Sequence, residues 1–156
     1  MVENQRKLCH FPDNSVFDHE HFSKAKKSYE DATRFCHWEH DGAKMVEILS
    51  QSENDNLVNA LRKYINDQNF WLGLCKGSKR PENSDDWTWQ FSGEGLDNYS
   101  NWAQGEPSAI GSARYCAKGY GWNNDISWYS SNIDADARQK FICQMERGLI
   151  CPPGME

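Results

Sequence analysis

The sequence predicts an α+β fold in a single domain, with two helices followed by short strands. Two stretches begin with helix-capping residues and continue with apolar residues at helical spacing. Short apolar or alternating runs come next, and long polar loops separate them. A chain of 156 residues with seven Trp, seven Phe and six Tyr can bury one core. We therefore expect residues 1–156 to form one domain.

Each predicted helix begins at a serine that is followed by an aspartate three residues later. The first helix starts at Ser28 and runs to about His37, with Cys36 on its buried face. The second starts at Ser52 and is amphipathic, so we expect it to pack against a sheet. Its apolar stripe consists of Leu57, Leu61, Tyr64, Ile65 and Gln68.

Short strands are predicted where apolar or alternating residues lie between turn-forming residues. An edge strand is expected within residues 1–22. The other predicted strands are 44–49, 70–74, 87–89, 114–118, 121–126 and 140–143. Because the loops between them are unusually long, we expect those loops to be functional or tied by disulfides.

The irregular stretch from Asn98 to Asp125 is the main functional lead. It is too rich in Gly and polar residues for a helix or a core strand. Oxygen-bearing side chains recur along it, and a hard cation takes about six to eight oxygen ligands. The candidate ligands are Glu106, Ser108, Asn124 and Asp125.

Composition excludes several function classes. The net charge is −6 without a long run of Lys or Arg, which argues against nucleic-acid binding. No apolar segment is long enough for membrane insertion, and the N-terminus lacks a signal-like apolar region, so we expect a soluble mature domain or an excised one. No nucleophile elbow, phosphate-binding loop or zinc-protease motif occurs, so we predict that the protein is not an enzyme.

Six cysteines without a C-x-x-C pair favour three disulfides over a zinc site. Disulfides persist in oxidising compartments, so the chain is expected to be secreted or part of an extracellular domain. Six cysteines allow about fifteen pairings, and an intermolecular bridge through Cys9 or Cys151 is an alternative.

A series of short motifs, in order and at suitable spacing, resembles the C-type lectin domain over roughly residues 8–145. These motifs are S-Y-E-D-A at 28–32, F-C at 35–36, F-W-L-G-L at 70–74, W-T-W at 87–89, Y-S-N-W at 99–102, G-E-P at 105–107, Cys116, W-N-N-D at 122–125 and F-I-C at 141–143. The resemblance implies two helices flanking two small, mostly antiparallel sheets, with a short disulfide-tied tail at the C-terminus. It also implies a long loop with a calcium-dependent carbohydrate site.

In sugar-binding members, a Glu-Pro-Asn or Gln-Pro-Asp triplet, a later Glu and an Asn-Asp pair hold calcium, and the Glu-Pro bond is typically cis. Glu106, Asn124 and Asp125 match this set, Ser108 replaces the amide or carboxylate, and the later Glu is absent near Arg114. The matching residues would offer about four or five oxygens, and two sugar hydroxyls would bring the sum to about six or seven. Arg114 would also repel the ion. The resemblance therefore implies a remodelled Ca²⁺ site of reduced affinity.

The implied ligands are terminal sugars of galactose or mannose type, on glycoproteins or cell surfaces. Glu106, Ser108, Asn124 and Asp125 would bind the sugar, and Trp128 would be the exposed aromatic that stacks on it, with Tyr120 or Tyr115 as alternatives. Trp122 is interpreted as a core residue. The resemblance also implies multivalent binding through a homo-oligomer and a role in innate immunity. The alternative function is a calcium-independent module that binds a protein or another non-sugar ligand.

The resemblance also implies disulfide pairing. Cys36 with Cys143 matches the family's long-range bridge, which would close a loop of roughly 100 residues and stabilise by about 4 to 5 kcal/mol. Cys116 lacks its usual partner before Phe141, so Cys75 is expected to replace it. The last bridge would join the two terminal cysteines, Cys9 and Cys151.

Overall fold

The computed structural model describes residues 26–39, 43–77, 87–108, 113–135 and 138–145. Two helices lie in these ranges, α1 (Tyr29–Glu39) and α2 (Gln51–Ile65). The strands are β1 (Ala43–Met45), β2 (Asn69–Lys76), β3 (Trp87–Trp89), β4 (Tyr115–Trp122), β5 (Asp125–Asn132) and β6 (Cys143–Met145). Neither described helix is long and apolar enough to cross a membrane. The edge strand expected within residues 1–22 lies outside the described residues.

The strands form two antiparallel sheets, which confirms the predicted α+β class. A two-stranded sheet pairs β1 with β6, so it joins an early segment of the chain to a late one. The larger sheet has the strand order β3-β2-β4-β5. Strand β5 is therefore at one edge of the larger sheet, and the loop that carries Glu106 runs along that edge.

Both helices begin with a side-chain cap, although the second starts earlier than predicted. The Asp31 amide donates to Ser28 Oγ at 3.2 Å, as the capping pattern indicates. Helix α2 is capped by Ser50 rather than Ser52, since Ser50 Oγ accepts from the Glu53 amide at 3.1 Å. Glu53 reaches back to accept from the Leu49 amide at 3.0 Å. This is a complete capping box, which stabilises the start two residues upstream.

Residues 114–126 differ most from the sequence expectation. Two separate short strands were predicted, but β4 and β5 form one long hairpin with the two-residue turn Asn123-Asn124. Both turn residues have positive φ, 57° and 61°, as a type I′ turn requires. The glycines inside β4 allow close packing: a Cβ at Gly121 would lie 2.3 Å from the Ile65 carbonyl oxygen. They are positions of close approach rather than strand ends.

The strands predicted at residues 44–49 and 140–143 are also shifted. Strand β1 ends at Met45, and residues 46–48 continue as buried backbone outside a regular ladder. There the Val46 amide donates to the Ile142 carbonyl, and the Gly73 amide donates to the Val46 carbonyl. Strand β6 begins at Cys143, where the predicted strand ended.

The core has two parts. The larger part lies between α2 and the four-stranded sheet and contains Trp87, Trp89 and Trp128. The smaller part packs α1 onto the other face of that sheet, where Tyr29 meets Trp71 edge-to-face with ring centroids 5.4 Å apart. The core therefore covers both faces of the larger sheet and leaves the edge of β5 near the surface.

Two of the implied disulfides are present. Cys36 in α1 is bonded to Cys143 in β6. Cys75 and Cys116 are directly opposite in the β2–β4 ladder and are bonded to each other. The third implied pair, Cys9 with Cys151, lies outside the described residues.

Candidate functional site

Glu106 lies at the edge of β5 and holds its own loop against that strand. The Glu106–Pro107 bond is cis, as the resemblance implies. Glu106 Oε1 accepts from the Ser130 amide at 2.9 Å and from Ser130 Oγ at 2.8 Å. It also accepts from the Ser108 amide at 3.0 Å, and the Ser108 hydroxyl lies 3.2 Å from both carboxylate oxygens.

The Glu106 carboxylate therefore accepts a hydrogen bond that the backbone carbonyl of a neighbouring strand would otherwise accept. Upstream, the main chain of the loop pairs with the same edge: the Trp128 amide donates to the Asn101 carbonyl, and the Ala103 amide donates to the Trp128 carbonyl. The next amide that faces this open edge is that of Ser130, and it donates to the Glu106 side chain. Glu106 thus satisfies an edge amide that would otherwise face solvent.

Asn124 and Asp125 lie at the opposite end of β5 from Ser130. Ser130 is five positions after Asp125 along the extended strand, which corresponds to about 16 Å. Asn124 is an exposed turn residue. The structure therefore brings Glu106 and Ser108 together but places the Asn124–Asp125 pair elsewhere.

Asp125 belongs to a polar cluster beside α2. Its Oδ1 accepts from Asn54 Nδ2 at 3.0 Å, and Asn101 Nδ2 lies 3.3 Å from both carboxylate oxygens. Burial, reinforced by the negative charges of Asp125 and Asp55, raises the pKa of Tyr99 to about 12. Asp125 therefore links the hairpin, α2 and the 98–102 segment.

Among the residues that the structure describes, the candidate ligands do not fit a calcium site of the implied kind. A Ca²⁺ ion takes about six to eight oxygens at about 2.3–2.6 Å, so its ligands must converge. Around Glu106 the matched set supplies one carboxylate and the Ser108 hydroxyl, and Ser130 adds a second hydroxyl. Within the described ranges, no group of three or more His, Cys, Asp or Glu side chains could hold a metal ion.

The roles expected for two tryptophans are reversed. Trp128 is 0% exposed, so the expectation that it stacks on a sugar is wrong. It shares the inward face of β5 with Ile126 and packs edge-to-face against Trp89, Tyr99 and Trp102. Trp122, interpreted as a core residue, is 59% exposed because it is the last residue of β4, next to the hairpin turn.

The remaining candidates have structural partners. Tyr115 packs against the core, and the Tyr120 hydroxyl donates to Asp67. Arg114, expected to repel a calcium ion, instead pairs with Glu30 at 2.8 Å and Asp134 at 2.7 Å. Its charge is therefore offset by two carboxylates.

Sequence reasoning missed Ser130, Asn101 and Asn54. Nothing in the local sequence marks Ser130, because its role depends on which strand position lies beside Glu106. Asn54 did carry a signal: it precedes Leu57 by three residues and Val58 by four, which places a polar residue on the apolar stripe of α2. It is 0% exposed, and its Oδ1 has no partner among the described residues.

Comparisons with known proteins agree with this architecture. The family profile described as Lectin C-type domain matches residues 25–145. C-type lectin lectoxin-Lio1 of Erythrolamprus poecilogyrus is 29% identical over 124 residues, covering 79% of this chain and 71% of its own. Human lithostathine superposes with a TM-score of 0.61 at 23% identity, with 78% of both chains covered. The C-type lectin domain of murine dendritic cell inhibitory receptor 2, solved with an N-glycan, has a TM-score of 0.59 at 23% identity, covering 80% of this chain and 87% of that one.

Proposed function

This chain belongs to the C-type lectin domain family, and from that premise we propose that it is a recognition module that binds its ligand without calcium. The observation that carries the proposal is the separation of Glu106 from Asp125 along β5. A calcium site of the family's kind needs both carboxylates at one ion. About 16 Å of strand lies between Asp125 and Ser130, the residue that Glu106 contacts.

The hydrogen bonds of each carboxylate support the same proposal. Glu106 is engaged by Ser108 and Ser130, and Asp125 is engaged by Asn54 and Asn101. These neutral donors stabilise the negative charge of each carboxylate where it lies, so the proposal requires no cation at either one. Under this proposal, hydrogen bonds rather than a metal ion close the described part of the long loop.

The partners we propose are glycans on glycoproteins or cell surfaces, met outside the cell. Two disulfides suit an oxidising compartment. Without an ion to bind hydroxyl pairs, a single sugar contact would be weak, so multivalent presentation would be needed for avidity.

A calcium-dependent lectin is the second candidate, and the position of Glu106 favours it. Among the described residues, its Oε2 accepts only from the Ser108 hydroxyl, so one carboxylate oxygen has capacity for another partner. This candidate requires oxygen ligands beyond those that the described residues bring to Glu106.

Calorimetric titration of chelator-treated protein with CaCl₂, then with galactose and mannose, separates the two candidates. We expect no saturable calcium heat, and sugar binding that is the same with calcium and with EDTA. Calcium binding with a Kd of about 10⁻³ M or tighter, lost in Glu106→Gln and kept in the exposed control Glu94→Gln, would establish the second candidate instead.

A further inference from the structure

A shallow groove lies between the C-terminal end of α2 and the tip of the β4–β5 hairpin. Val58, Arg62 and Asn66 line one side, and Trp122, Asn124 and Asp125 line the other. About 170 Å³ of space lies among these side chains, counting the part that is open to solvent. The groove is therefore an open surface against which a ligand would stack, not an enclosed pocket.

Trp122 presents a large aromatic face to solvent at this groove. It is 59% exposed, whereas Trp71, Trp87, Trp89 and Trp128 are 1% exposed or less. In the β4–β5 ladder Trp122 is directly opposite Asp125, so both side chains project from the same face of the hairpin. An apolar platform and a hydrogen-bonding carboxylate are therefore adjacent.

The backbone that carries Trp122 is held in place before any ligand arrives. The Asp67 amide donates to the Gly121 carbonyl at 2.6 Å, and the Gly121 amide donates to the Gln68 carbonyl at 3.1 Å. These bonds fasten β4 to the segment after α2, immediately before Trp122. A backbone that is already fixed at this position lowers the conformational entropy lost on binding, which favours affinity.

The rim of the groove offers both donors and acceptors. Arg62 donates to Asn59 at 3.1 Å and makes no ion pair with any described residue, so other N–H groups are available. The exposed Asn124 amide can donate and accept. Asp125 is fixed by Asn54, and its Oδ2 accepts only a 3.3 Å contact from Asn101 among the described residues.

The charge of the groove indicates a neutral occupant. The one guanidinium, of Arg62, and the one carboxylate, of Asp125, cancel formally. A hexose has an apolar C–H face that stacks on an indole, and a rim of hydroxyls that both donate and accept. We propose that this groove binds a neutral hexose residue of a glycan, without calcium, with the ring stacked on Trp122. This inference rests on the proposed calcium-independent function and gives it a site away from Glu106.

The test is a titration of the ¹⁵N-labelled protein in EDTA with methyl α-mannopyranoside and with methyl β-galactopyranoside. We expect at least one of them to shift the Trp122 indole N–H and the Asn124 side-chain amide signals. Trp122→Ala should weaken binding about tenfold or more, and Trp122→Tyr should retain part of it. The control is Trp38→Ala on α1, where the indole is 75% exposed, and it should change nothing.

The outcomes separate the groove from the proposed function. Calcium-free binding that Trp122→Ala leaves unchanged would overturn the groove and keep the calcium-independent function. Binding that needs calcium and is lost in Glu106→Gln would overturn both. No shift with either glycoside, in EDTA or in calcium, would overturn the groove as a hexose site.

Discussion

Replacing Glu106 tests whether this carboxylate stabilises the long loop by hydrogen bonds or serves as a metal ligand. In Glu106→Ala, the Ser130 amide loses its acceptor at 2.9 Å, and the Ser108 amide loses one of its two acceptors, at 3.0 Å, and keeps Ser130 Oγ. Hydrogen bonds to a charged group contribute about 1.5–3 kcal/mol when buried, and water replaces part of that at a half-buried position. We expect a loss of about 1.5–3 kcal/mol in unfolding free energy for the variant as a whole.

The assay is urea unfolding in EDTA, with Glu94→Ala as the matched control on an exposed loop. A double-mutant cycle with Ser130→Ala isolates the pairwise contribution, for which we expect a coupling of about 1 kcal/mol. A metal-ligand carboxylate would behave differently. Without its ion it is repelled by its neighbours, so removing it would be neutral or stabilising.

A loss below about 0.5 kcal/mol, which is no more than an ordinary surface substitution, would refute this reasoning. So would a coupling between positions 106 and 130 that is indistinguishable from zero. The conservative Glu106→Gln keeps one acceptor oxygen and should lose less, about 1 kcal/mol.

Three further predictions concern neighbouring positions. Ser130→Asp would place a second carboxylate beside Glu106, so the melting temperature should fall in EDTA and recover when calcium is added; no calcium response would contradict this. Hydrogen bonds from Arg114 lower the pKa of Asp134, so the stabilisation from this pair is present at neutral pH and is lost as pH falls through the lowered pKa; Asp134→Asn should flatten the acid limb of a melting-temperature profile. Trp128→Ala should cost about 3–5 kcal/mol in urea unfolding, because its indole is fully buried.

Local signals in the sequence predicted much of the fold. The serine cap at Ser28 and the apolar run at residues 70–74 each depend on a few neighbouring residues, and both match the structure. The hairpin was harder to predict because its turn is Asn123-Asn124 rather than the more common Asn-Gly. Asparagine tolerates positive φ, but two in succession also suit an irregular loop.

The site was less predictable, because it depends on strand register. The W-N-N-D stretch at 122–125 matches a family motif locally, yet it forms the tip of a hairpin. The residue beside Glu106 is Ser130, which occupies the inward face of β5 two positions after Trp128. Which residue of an edge strand meets a distant loop is set by pairing across the sheet, and short motifs carry no information about it.

A retained Glu-Pro pair is therefore weak support for a retained metal. Glu106 satisfies the edge amide of Ser130 and accepts from both serine hydroxyls, so its loss would loosen the loop in an ion-free domain. Ser108 and Ser130 are well suited to positions beside Glu106, because each is small and donates hydrogen bonds from both its hydroxyl and its backbone. An arrangement in which one carboxylate closes the loop by hydrogen bonds needs no ion to do so. It leaves ligand recognition to a surface such as the Trp122 groove, where an aromatic face is exposed.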